Sequence, residues 1–425
     1  MAIDNKDKKV LKSSIEREQN EVACSAECEK IKGSKNLNVP HLRFPEFSGE
    51  WEMVSLQDIA TINPKSDPLQ NTFIYIDLEA VEKGELRKIQ EIMREEAPSR
   101  AQRVIDNNDI LFQCVRPYQK NNYIHRILNT SNQQWVASTG YAQIRTTELP
   151  NYIYHLLNTD EFNRKVMVRC TGSSYPAINS EDLATIHLYY TPDKKEQLKI
   201  SRLLDLLDKR IATQNKIIEK LQSLIKGLSQ QLLSSENDWI LYRLDDLAQI
   251  KSGYSGTQVS YQTPYKVSRI ETISKHCIDI QRIGYVECIP ESYRLNVGNI
   301  LFSNINSIQY IGNTAYLDKD YGLYHGMNLL RIIPNTTIVR PRFLHLLLCT
   351  DWAINHFQTI CNKAVSQASI NQTALGKSRF PIPPMSVQQQ ICSMFELTER
   401  KLDNEQEYIS CLQQQKRYLL QKMFI

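Results

Sequence analysis

The most regular pattern of apolar positions in the chain lies in residues 196–233, a stretch with no proline and one glycine, Gly227. Apolar side chains recur there every three or four residues, with Gln214 at the one polar position of the series. The apolar positions are Leu203, Leu207, Ile211, Ile218, Leu221, Ile225, Leu228 and Leu232. This spacing is a heptad seam, and it predicts one long helix that packs against a partner helix.

A second stretch of this kind, residues 387–424, supplies the partner. Its seam positions are Ile391, Phe395, Leu402, Ile409, Leu412, Leu419 and Met423. At a rise of about 1.5 Å per residue, each helix would be about 57 Å long, whereas a globular domain of roughly 140 residues has a radius of gyration of about 14 Å. We therefore expect an antiparallel pair. The alternative, in which each helix packs only on its own globular domain, would leave much of the seam in water.

The chain is a tandem repeat. Five segments recur in the same order, each 188 to 192 residues further along the chain. The pairs are 51–60 with 239–248, 108–112 with 298–302, 156–160 with 347–351, 177–183 with 369–375, and 197–200 with 388–391. A preserved order at this long period indicates a duplicated domain with its linker, because solenoid repeats are much shorter.

Each repeat divides into a globular part and a helical part. Short apolar runs such as 73–76 and 300–302 alternate with turns and with helical stretches, which predicts an α+β domain. The expected fold is two similar α+β domains joined by two long helices in an antiparallel coiled coil, with an approximate two-fold axis. The predicted boundaries are a mobile or weakly helical extension at 1–40, domains at 41–192 and 237–384, and helical spacers at 193–236 and 385–425.

Composition places the chain among ordinary globular proteins. It is 41% hydrophobic and 23% charged, with no apolar run that predicts a transmembrane helix or a signal peptide. The ten cysteines are scattered, and the one close pair, Cys24 and Cys28, lacks the partners of a zinc site. We therefore expect reduced cysteines, no metal and a cytoplasmic location. The net charge of +4 permits a nucleic-acid partner without requiring one.

Two similar domains on a stiff spacer suit a ligand that presents two sites at a fixed distance. Duplex DNA is the commonest such ligand, since equivalent groove faces recur about every 34 Å. Side chains of the kinds that read base edges occur in three pairs of predicted loops, 113–122 with 303–310, 138–141 with 325–328, and 171–175 with 363–367. The loops differ between the repeats while the flanking apolar residues agree. The alternative for each loop is a solvated polar turn.

Catalytic motifs are not recognisable in the sequence. It has no Gly-x-Gly-x-x-Gly or Gly-x-x-x-x-Gly-Lys-Ser/Thr loop, and residues 63–66 (Asn-Pro-Lys-Ser) are not the Asn/Asp-Pro-Pro-aromatic motif of adenine methyltransferases. Residues 192–196 (Pro-Asp-Lys-Lys-Glu) have the residue types of a nuclease site, but acidic residues also favour the first turn of a helix. We interpret them as a helix start and expect no catalytic residue in this chain.

Several segments resemble the specificity subunits of type I restriction–modification systems. These are residues 38–51 (Asn-Val-Pro-His-Leu-Arg-Phe-Pro-Glu-Phe-Ser-Gly-Glu-Trp), 110–112 with 116–118, 137–141, 300–305, and the helix openings 196–200 and 387–391. The resemblance covers about residues 38–425, and the order of the segments is more specific than any one of them. The chain departs from the pattern in its 37-residue leader and in Val387 and Gln390, which replace the Glu196 and Lys199 of the first repeat.

The resemblance implies a non-catalytic subunit whose two target-recognition domains read a bipartite, asymmetric DNA site, while the paired helices set the gap between the half-sites. The implied partners are double-stranded DNA, two modification (methyltransferase) subunits and restriction/translocase subunits, with no membrane. Those subunits would bring S-adenosylmethionine, ATP and Mg²⁺, and this chain would hold no cofactor. Two other interpretations are a standalone bivalent adaptor that binds two proteins, and a self-sufficient methyltransferase.

The resemblance also assigns candidate DNA-binding residues by position. In the first domain they are Gln113, Arg116, Tyr118, Lys120, Ser138, Thr139, Ser173 and Tyr175. In the second domain they are Ser303, Asn304, Asn306, Gln309, Tyr310, His325, Asn328 and Gln367. Those beside repeated elements, such as Arg116 and Ser173, are also candidates for phosphate contacts, which position a protein on DNA without reading its sequence.

Overall fold

The computed structural model describes residues 38–127, 133–234, 239–274, 276–363 and 367–425. Residues 1–37 of the predicted N-terminal extension lie outside the described residues. Contacts divide the chain into two units. The first unit consists of Met1–Arg210 and Leu412–Ile425, and the second of Ile211–Cys411.

The helices follow the same order in both repeats. In the first repeat they are α1 (Leu56–Ile59), α2 (Pro150–Leu157), α3 (Asp160–Arg169), α4 (Ser180–Ala184) and α5 (Lys194–Leu232). In the second they are α6 (Leu244–Leu247), α7 (Pro341–Leu348), α8 (Asp351–Ile360), α9 (Gln372–Gly376) and α10 (Met385–Met423). Short 3-10 helices lie at Arg94–Glu96, Pro117–Gln119, Ile270–Thr272 and Glu291–Tyr293.

Several repeated sequence positions are helix caps. The Thr159 side chain accepts the backbone N–H of the third residue of α3, and Thr350 does the same for α8. Asn179 and Asn371 cap α4 and α9 in the same way. Such caps satisfy backbone donors that would otherwise lack partners at the start of a helix, which explains why these residue types recur at the repeat period.

In the first unit the strands form two four-stranded sheets and two smaller pairs. The strands are β1 (Glu52–Ser55), β2 (Ala60–Ile62), β3 (Thr72–Ile76), β4 (Val81–Glu82), β5 (Glu85–Leu86), β6 (Gln90–Met93), β7 (Ala101–Ile105), β8 (Ile110–Gln113), β9 (Tyr123–Ile124), β10 (Gln134–Ser138), β11 (Tyr141–Thr146) and β12 (His187–Tyr190). The sheet orders are β6-β3-β10-β7 and β2-β11-β8-β9, with β3 and β10 parallel and the other neighbours antiparallel.

The second unit repeats part of this topology. Its strands are β13 (Ile240–Arg243), β14 (Ala248–Ser252), β15 (Gln258–Val259), β16 (Tyr265–Val267), β17 (Ile273–Ser274), β18 (Cys277–Ile278), β19 (Gly284–Val286), β20 (Ile300–Phe302), β21 (Ile305–Asn306), β22 (Thr314–Tyr316), β23 (Leu323–Tyr324), β24 (Leu330–Pro334), β25 (Asn362–Lys363), β26 (Ala368–Ser369) and β27 (Arg379–Ile382). The order β14-β24-β20-β22 matches β2-β11-β8-β9, and the pair β13-β27 matches β1-β12. The mixed helix and strand content confirms the α+β prediction for both domains.

The two long helices pack antiparallel within each unit. In the first unit the start of α5 meets the end of α10, where Lys416 Nζ lies 2.5 Å from Asp208 Oδ1. In the second unit a later part of α5 meets an earlier part of α10, where Gln214 donates to the Glu405 carboxylate. The antiparallel coiled coil is therefore confirmed. Both helices also join the globular cores at their ends, as the burial of Ile200 in the first unit illustrates.

The seam of α5 begins one residue later than predicted. Leu204 is fully buried, whereas Leu203 is 37% exposed. Spacings that alternate strictly between three and four residues lead back from Leu207 to Leu204, so the choice of Leu203 was wrong. The other predicted seam residues on both helices are buried or half-buried. Within the described residues, no helix is both long and apolar enough to cross a membrane.

Candidate nucleic-acid interface

The structure brings the three candidate loops of the first unit together at the end of β8. The Cys114 N–H donates to the Gly140 carbonyl at 3.0 Å, which joins the first loop to the second. The Ile178 N–H donates to the Cys114 carbonyl at 3.1 Å, and Arg116 N–H donates to the Pro176 carbonyl at 2.8 Å. The third loop is therefore fastened to the first. Backbone hydrogen bonds therefore hold the three loops together.

A cavity of about 930 Å³ opens where these loops meet. Of the predicted residues, Gln113, Arg116, Thr139 and Tyr175 line it. The lining also contains charged residues that the sequence reasoning missed, namely Glu79, Glu82, Arg87 and Arg100. No local motif marks those four, because they come from the turns around β4, β5 and the 3-10 helix before β7, outside the three loops.

Arg116 has the most constrained geometry in this cavity. Its backbone is left-handed, with φ of 55°, a conformation that is uncommon for a residue with a side chain. The guanidinium carbon lies 4.3 Å from the centroid of the Tyr175 ring, within the range of a cation–π contact. Tyr175 itself is 65% exposed, so the pair stands at the surface of the unit.

The remaining candidates of the first unit divide by exposure. Tyr118 and Ser173 are exposed, and Thr139 is half-buried. Lys120 is held by an ion pair, with Nζ 2.6 Å from Asp160 Oδ1, at the start of α3. The Lys120 ammonium is therefore already paired with a carboxylate of the protein.

Two predicted base readers of the first unit are buried in the structure. Gln113 is 2% exposed, and its side chain donates to Gln119 Oε1 at 2.8 Å and accepts the Asn121 N–H at 3.1 Å. Ser138 is also buried, and its hydroxyl accepts the Gly140 N–H. The hydrogen-bonding groups of both side chains therefore shape their own loops, and a DNA contact by either residue stays a prediction.

In the second unit, the first and third candidate loops are joined in the same way. The Ile370 N–H donates to the Asn304 carbonyl at 2.8 Å, at the positions that correspond to Ile178 and Cys114. Beyond this point β21 pairs with β26, which also pairs with β25, so the two loops form a small three-stranded sheet. Residues 364–366 of the third loop lie outside the described residues.

Four candidates of the second unit are exposed and offer polar groups to solvent. They are Gln309, Tyr310, Asn328 and Gln367. Asn304 and Asn306 are half-buried. Asn304 donates to the Ile370 carbonyl at 3.3 Å, while Asn306 donates to Ser303 Oγ at 3.1 Å.

Ser303 and His325 were predicted to contact DNA, and both are buried, each about 1% exposed. The Ser303 hydroxyl accepts the Asn306 side chain. The His325 Nε2 lies 3.0 Å from the Leu329 carbonyl, to which its N–H donates. Burial lowers the pKa of His325 to about 4, so this ring is neutral at neutral pH. Both side chains bond to their own loops, and a DNA contact by either residue stays a prediction.

The arrangement suits recognition more than reaction. Among the described residues, no group of three or more histidine, cysteine, aspartate or glutamate side chains is placed to hold a metal ion. The exposed loop residues are amides, hydroxyls and a guanidinium, which form hydrogen bonds with base edges and phosphates. Each unit carries a different set of these groups on a similar frame.

Comparison with known proteins gives a family with the same organisation. The sequence-family model of the type I restriction modification DNA specificity domain matches residues 48–223 and again residues 236–414. The two matches together cover most of the chain and coincide with its two repeats. The chain therefore belongs to the family of type I restriction–modification DNA specificity proteins.

Two curated relatives carry related descriptions. The putative type I restriction enzyme MjaX specificity subunit of Methanocaldococcus jannaschii is 38% identical over 193 residues, which are 44% of this chain and 45% of that protein. The type I restriction enzyme HindI specificity subunit of Haemophilus influenzae is 23% identical over 187 residues, which are 43% of this chain and 37% of that protein. The aligned segment thus spans less than half the length of each relative.

Solved structures show the same fold. The S subunit of a type I restriction–modification system from M. genitalium is 14% identical, with a TM-score of 0.57 over 91% of this chain and 99% of that one. A chain from work on complex assembly and conformational transition of the type I R-M system is 19% identical, with a TM-score of 0.57 over 88% and 97% of the two chains. At these identities the likeness concerns the fold alone.

Proposed function

We propose that this chain is the non-catalytic DNA-recognition subunit of a type I restriction–modification complex. The first unit reads one half of a bipartite, asymmetric DNA site, and the second unit reads the other half. Two modification subunits dock on the chain and bring S-adenosylmethionine, and restriction subunits bring ATP and Mg²⁺. Membership of the specificity family and the descriptions of the relatives support this assignment.

One observation carries the proposal of two different half-sites. The hydrogen bond from Ile178 to Cys114 in the first unit recurs as that from Ile370 to Asn304 in the second. The backbone that joins the first and third loops is therefore alike in the two units, whereas the side chains that these loops carry differ. Arg116 and Tyr175 lie beyond the frame in one unit, and a three-stranded sheet with Gln367 beside it lies beyond it in the other. Different groups on one frame are expected to select different bases.

The charge of the chain fits a subunit that shares its DNA with partners. A net charge of +4 is small for a protein that binds two half-sites alone, because each neutralised phosphate adds to affinity. We infer that the modification subunits supply a share of the phosphate contacts. Sequence readout would then depend on this chain, and affinity on the whole complex.

Selection from a duplex pool with a long randomised region tests the proposal. The full chain, co-produced with its modification subunits, is expected to enrich a motif split into two parts by a fixed gap. The complex should also methylate adenine within that motif, whereas the chain alone should transfer no methyl group. A bivalent protein adaptor would enrich no split motif, and this result would overturn the proposal.

A further inference from the structure

Arg116 is held in place more firmly than an ordinary surface arginine. Its N–H is bonded to the Pro176 carbonyl, and its own carbonyl accepts the Gln119 N–H at 3.0 Å. The loop that carries Tyr175 is closed by two hydrogen bonds between Thr171 and Ala177, at 2.9 and 3.0 Å. Both members of the Arg116–Tyr175 pair therefore project from backbone that is fixed on each side.

The turn in the Tyr175 loop also requires a particular backbone. Gly172 has φ of 87°, and a Cβ at this position would lie 3.0 Å from the Tyr175 carbonyl oxygen. Only glycine adopts this conformation without strain, so the path of the loop is set locally. The ring of Tyr175 is thereby presented as a platform beneath the guanidinium.

The other cations near the cavity differ from Arg116. Arg87 is paired with Glu82 and Glu85, at 3.6 and 3.3 Å. Lys120 is paired with Asp160. The Arg100 side chain is exposed and, within the described part of the chain, has neither an ion pair nor an aromatic platform. Arg116 combines an oriented guanidinium with no acidic partner among the described residues, so its five donors are available to a ligand.

We propose that Arg116, oriented by Tyr175, reads a guanine in the half-site of the first unit; this inference rests on the proposed function. A guanidinium is planar and can donate two parallel hydrogen bonds to O6 and N7 of guanine in the major groove. The cation–π contact with the Tyr175 ring restricts the guanidinium before DNA arrives, so less rotational freedom is lost on binding. We expect Arg100, which lacks such a platform, to contact a phosphate instead.

Four variants of the full chain, each in complex with the modification subunits, test the inference in the duplex-pool selection. Arg116→Ala and Arg116→Lys are expected to abolish the preference for guanine at one position of the first half-site, since lysine cannot form the bidentate pair. The discrimination lost at that position should be roughly ten- to a hundredfold. Tyr175→Phe retains the ring and should preserve the preference, whereas Tyr175→Ala should weaken it at the same position. The second half-site should be unchanged throughout, which serves as the control for folding.

Arg100→Ala is the matched control for a phosphate contact. It should weaken binding equally for all sequences and reduce the slope of log affinity against log salt by about one. If Arg116→Ala behaves in this way and leaves the motif unchanged, or if the first half-site of the wild-type complex contains no G·C pair, the guanine assignment is overturned while the proposed function stands. If the wild-type complex selects no split motif, both fail.

Discussion

Gln197 and Gln388 make the same connection in the two units. Both side chains are fully buried at the first turns of the long helices. Gln197 accepts the backbone N–H of Leu149 at 3.3 Å and donates to the Thr191 carbonyl at 2.8 Å. Gln388 accepts the N–H of Arg340 at 2.8 Å and donates to the carbonyl of Pro383 at 2.9 Å. Each glutamine thus links the start of a long helix to the residue before α2 or α7.

Loss of either glutamine should destabilise its own unit. Gln388→Ala removes the partner of the half-buried Arg340 N–H and of the buried Pro383 carbonyl, which is expected to cost about 1–3 kcal/mol of unfolding free energy. Gln197→Ala should do the same in the first unit. Hydrogen exchange followed by mass spectrometry can assign the loss, since amides of α7 should exchange faster in Gln388→Ala and those of α2 in Gln197→Ala. The exposed neighbour provides the control, because Gln389→Ala should change neither. Equal loss of protection in both units would contradict this prediction.

The elements that sequence predicted well are those set by a local period. The seam of α5 could be predicted because burial recurs every three or four residues, and only its first position was misplaced, at Leu203 instead of Leu204. The positions of repeated caps such as Thr159 and Thr350 could be found because the same residue type recurs at the repeat period. These features depend on residues within one or two turns of each other, so the pattern contains the information.

The side-chain roles in the loops could not be predicted in the same way. A polar residue after a buried strand can face solvent or can form hydrogen bonds within its own loop. The residue type alone does not distinguish these two roles. Gln113, Ser138, Ser303 and His325 have the second role. Arg100 lines the cavity although it lies outside all three predicted loops, because the sheet that contains β7 brings the turn before that strand to the cavity.

The departure at Val387 has a structural explanation in the first unit. Its counterpart Glu196 is fully buried and paired with Arg43, at 2.7 and 2.8 Å for the two hydrogen bonds. Glu196 also accepts the Thr191 hydroxyl at 2.8 Å. Arg43 belongs to the segment before the first repeat and lies 153 residues from Glu196 in the chain. An apolar residue therefore suffices at the second position if no such arginine reaches it.

Glu196→Gln should destabilise the first unit strongly, because it leaves a largely buried guanidinium opposite a neutral amide. Removal of one partner of a fully buried ion pair costs about 3–5 kcal/mol. The expected loss here is at or below the lower end of that range, because Arg43 also donates to the carbonyls of Ser48 and Gly49. Denaturant unfolding, with hydrogen exchange to localise the change, measures the effect. The control lies one turn away on the same helix face, where the exposed Lys199 pairs with Glu46 of the same segment. Glu46→Gln should have little effect, and a comparable loss from both variants would contradict the special role of the buried pair.

The buried ring of His325 predicts a pH dependence of stability in the second unit. The folded pKa is about 4, against an ordinary value of 6.5, because burial disfavours the charged ring. Between pH 6.5 and 4 the unfolded chain binds more protons, so stability rises with pH across this window and is lost as pH falls. Acidification from neutral pH to below pH 4 should therefore remove roughly 3 kcal/mol of unfolding free energy through this ring.

His325→Gln tests this contribution while keeping a donor for the Leu329 carbonyl. The wild-type chain should lose more unfolding free energy between pH 7 and pH 4.5 than the variant does. The variant should also select the same DNA motif, since His325 is buried. Parallel pH profiles for the two proteins would show that the ring does not titrate as its burial requires.

Matched insertions in the two long helices test the expectation, implied by the family resemblance, that these helices set the gap between the half-sites. Duplication of residues 218–224 in α5 and of 402–408 in α10 adds one heptad to each helix and preserves both seams. Seven residues lengthen a helix by about 10 Å, which corresponds to about three base-pair steps. Duplex-pool selection should therefore give both half-sites unchanged with the gap longer by about three base pairs. An unchanged gap with full binding would refute the proposal, and insertion in α5 alone should instead impair binding, because the seams then no longer match.

Asn304 and Gln367 should affect the second half-site for different reasons. The Gln367 side chain is exposed and forms no hydrogen bond within the described part of the chain, so Gln367→Ala should change base preference there without altering stability. Asn304 instead donates to the Ile370 carbonyl, and Asn304→Ala is expected to lower the unfolding free energy of the second unit by about 1 kcal/mol. Its loss should weaken the second half-site broadly, since the loop loses an anchor, while the first half-site stays intact. Selection from the duplex pool and denaturant unfolding, performed on both variants, separate the two effects. If Asn304→Ala instead changes the preference at a single base and leaves the stability unaltered, Asn304 reads a base and does not anchor the loop.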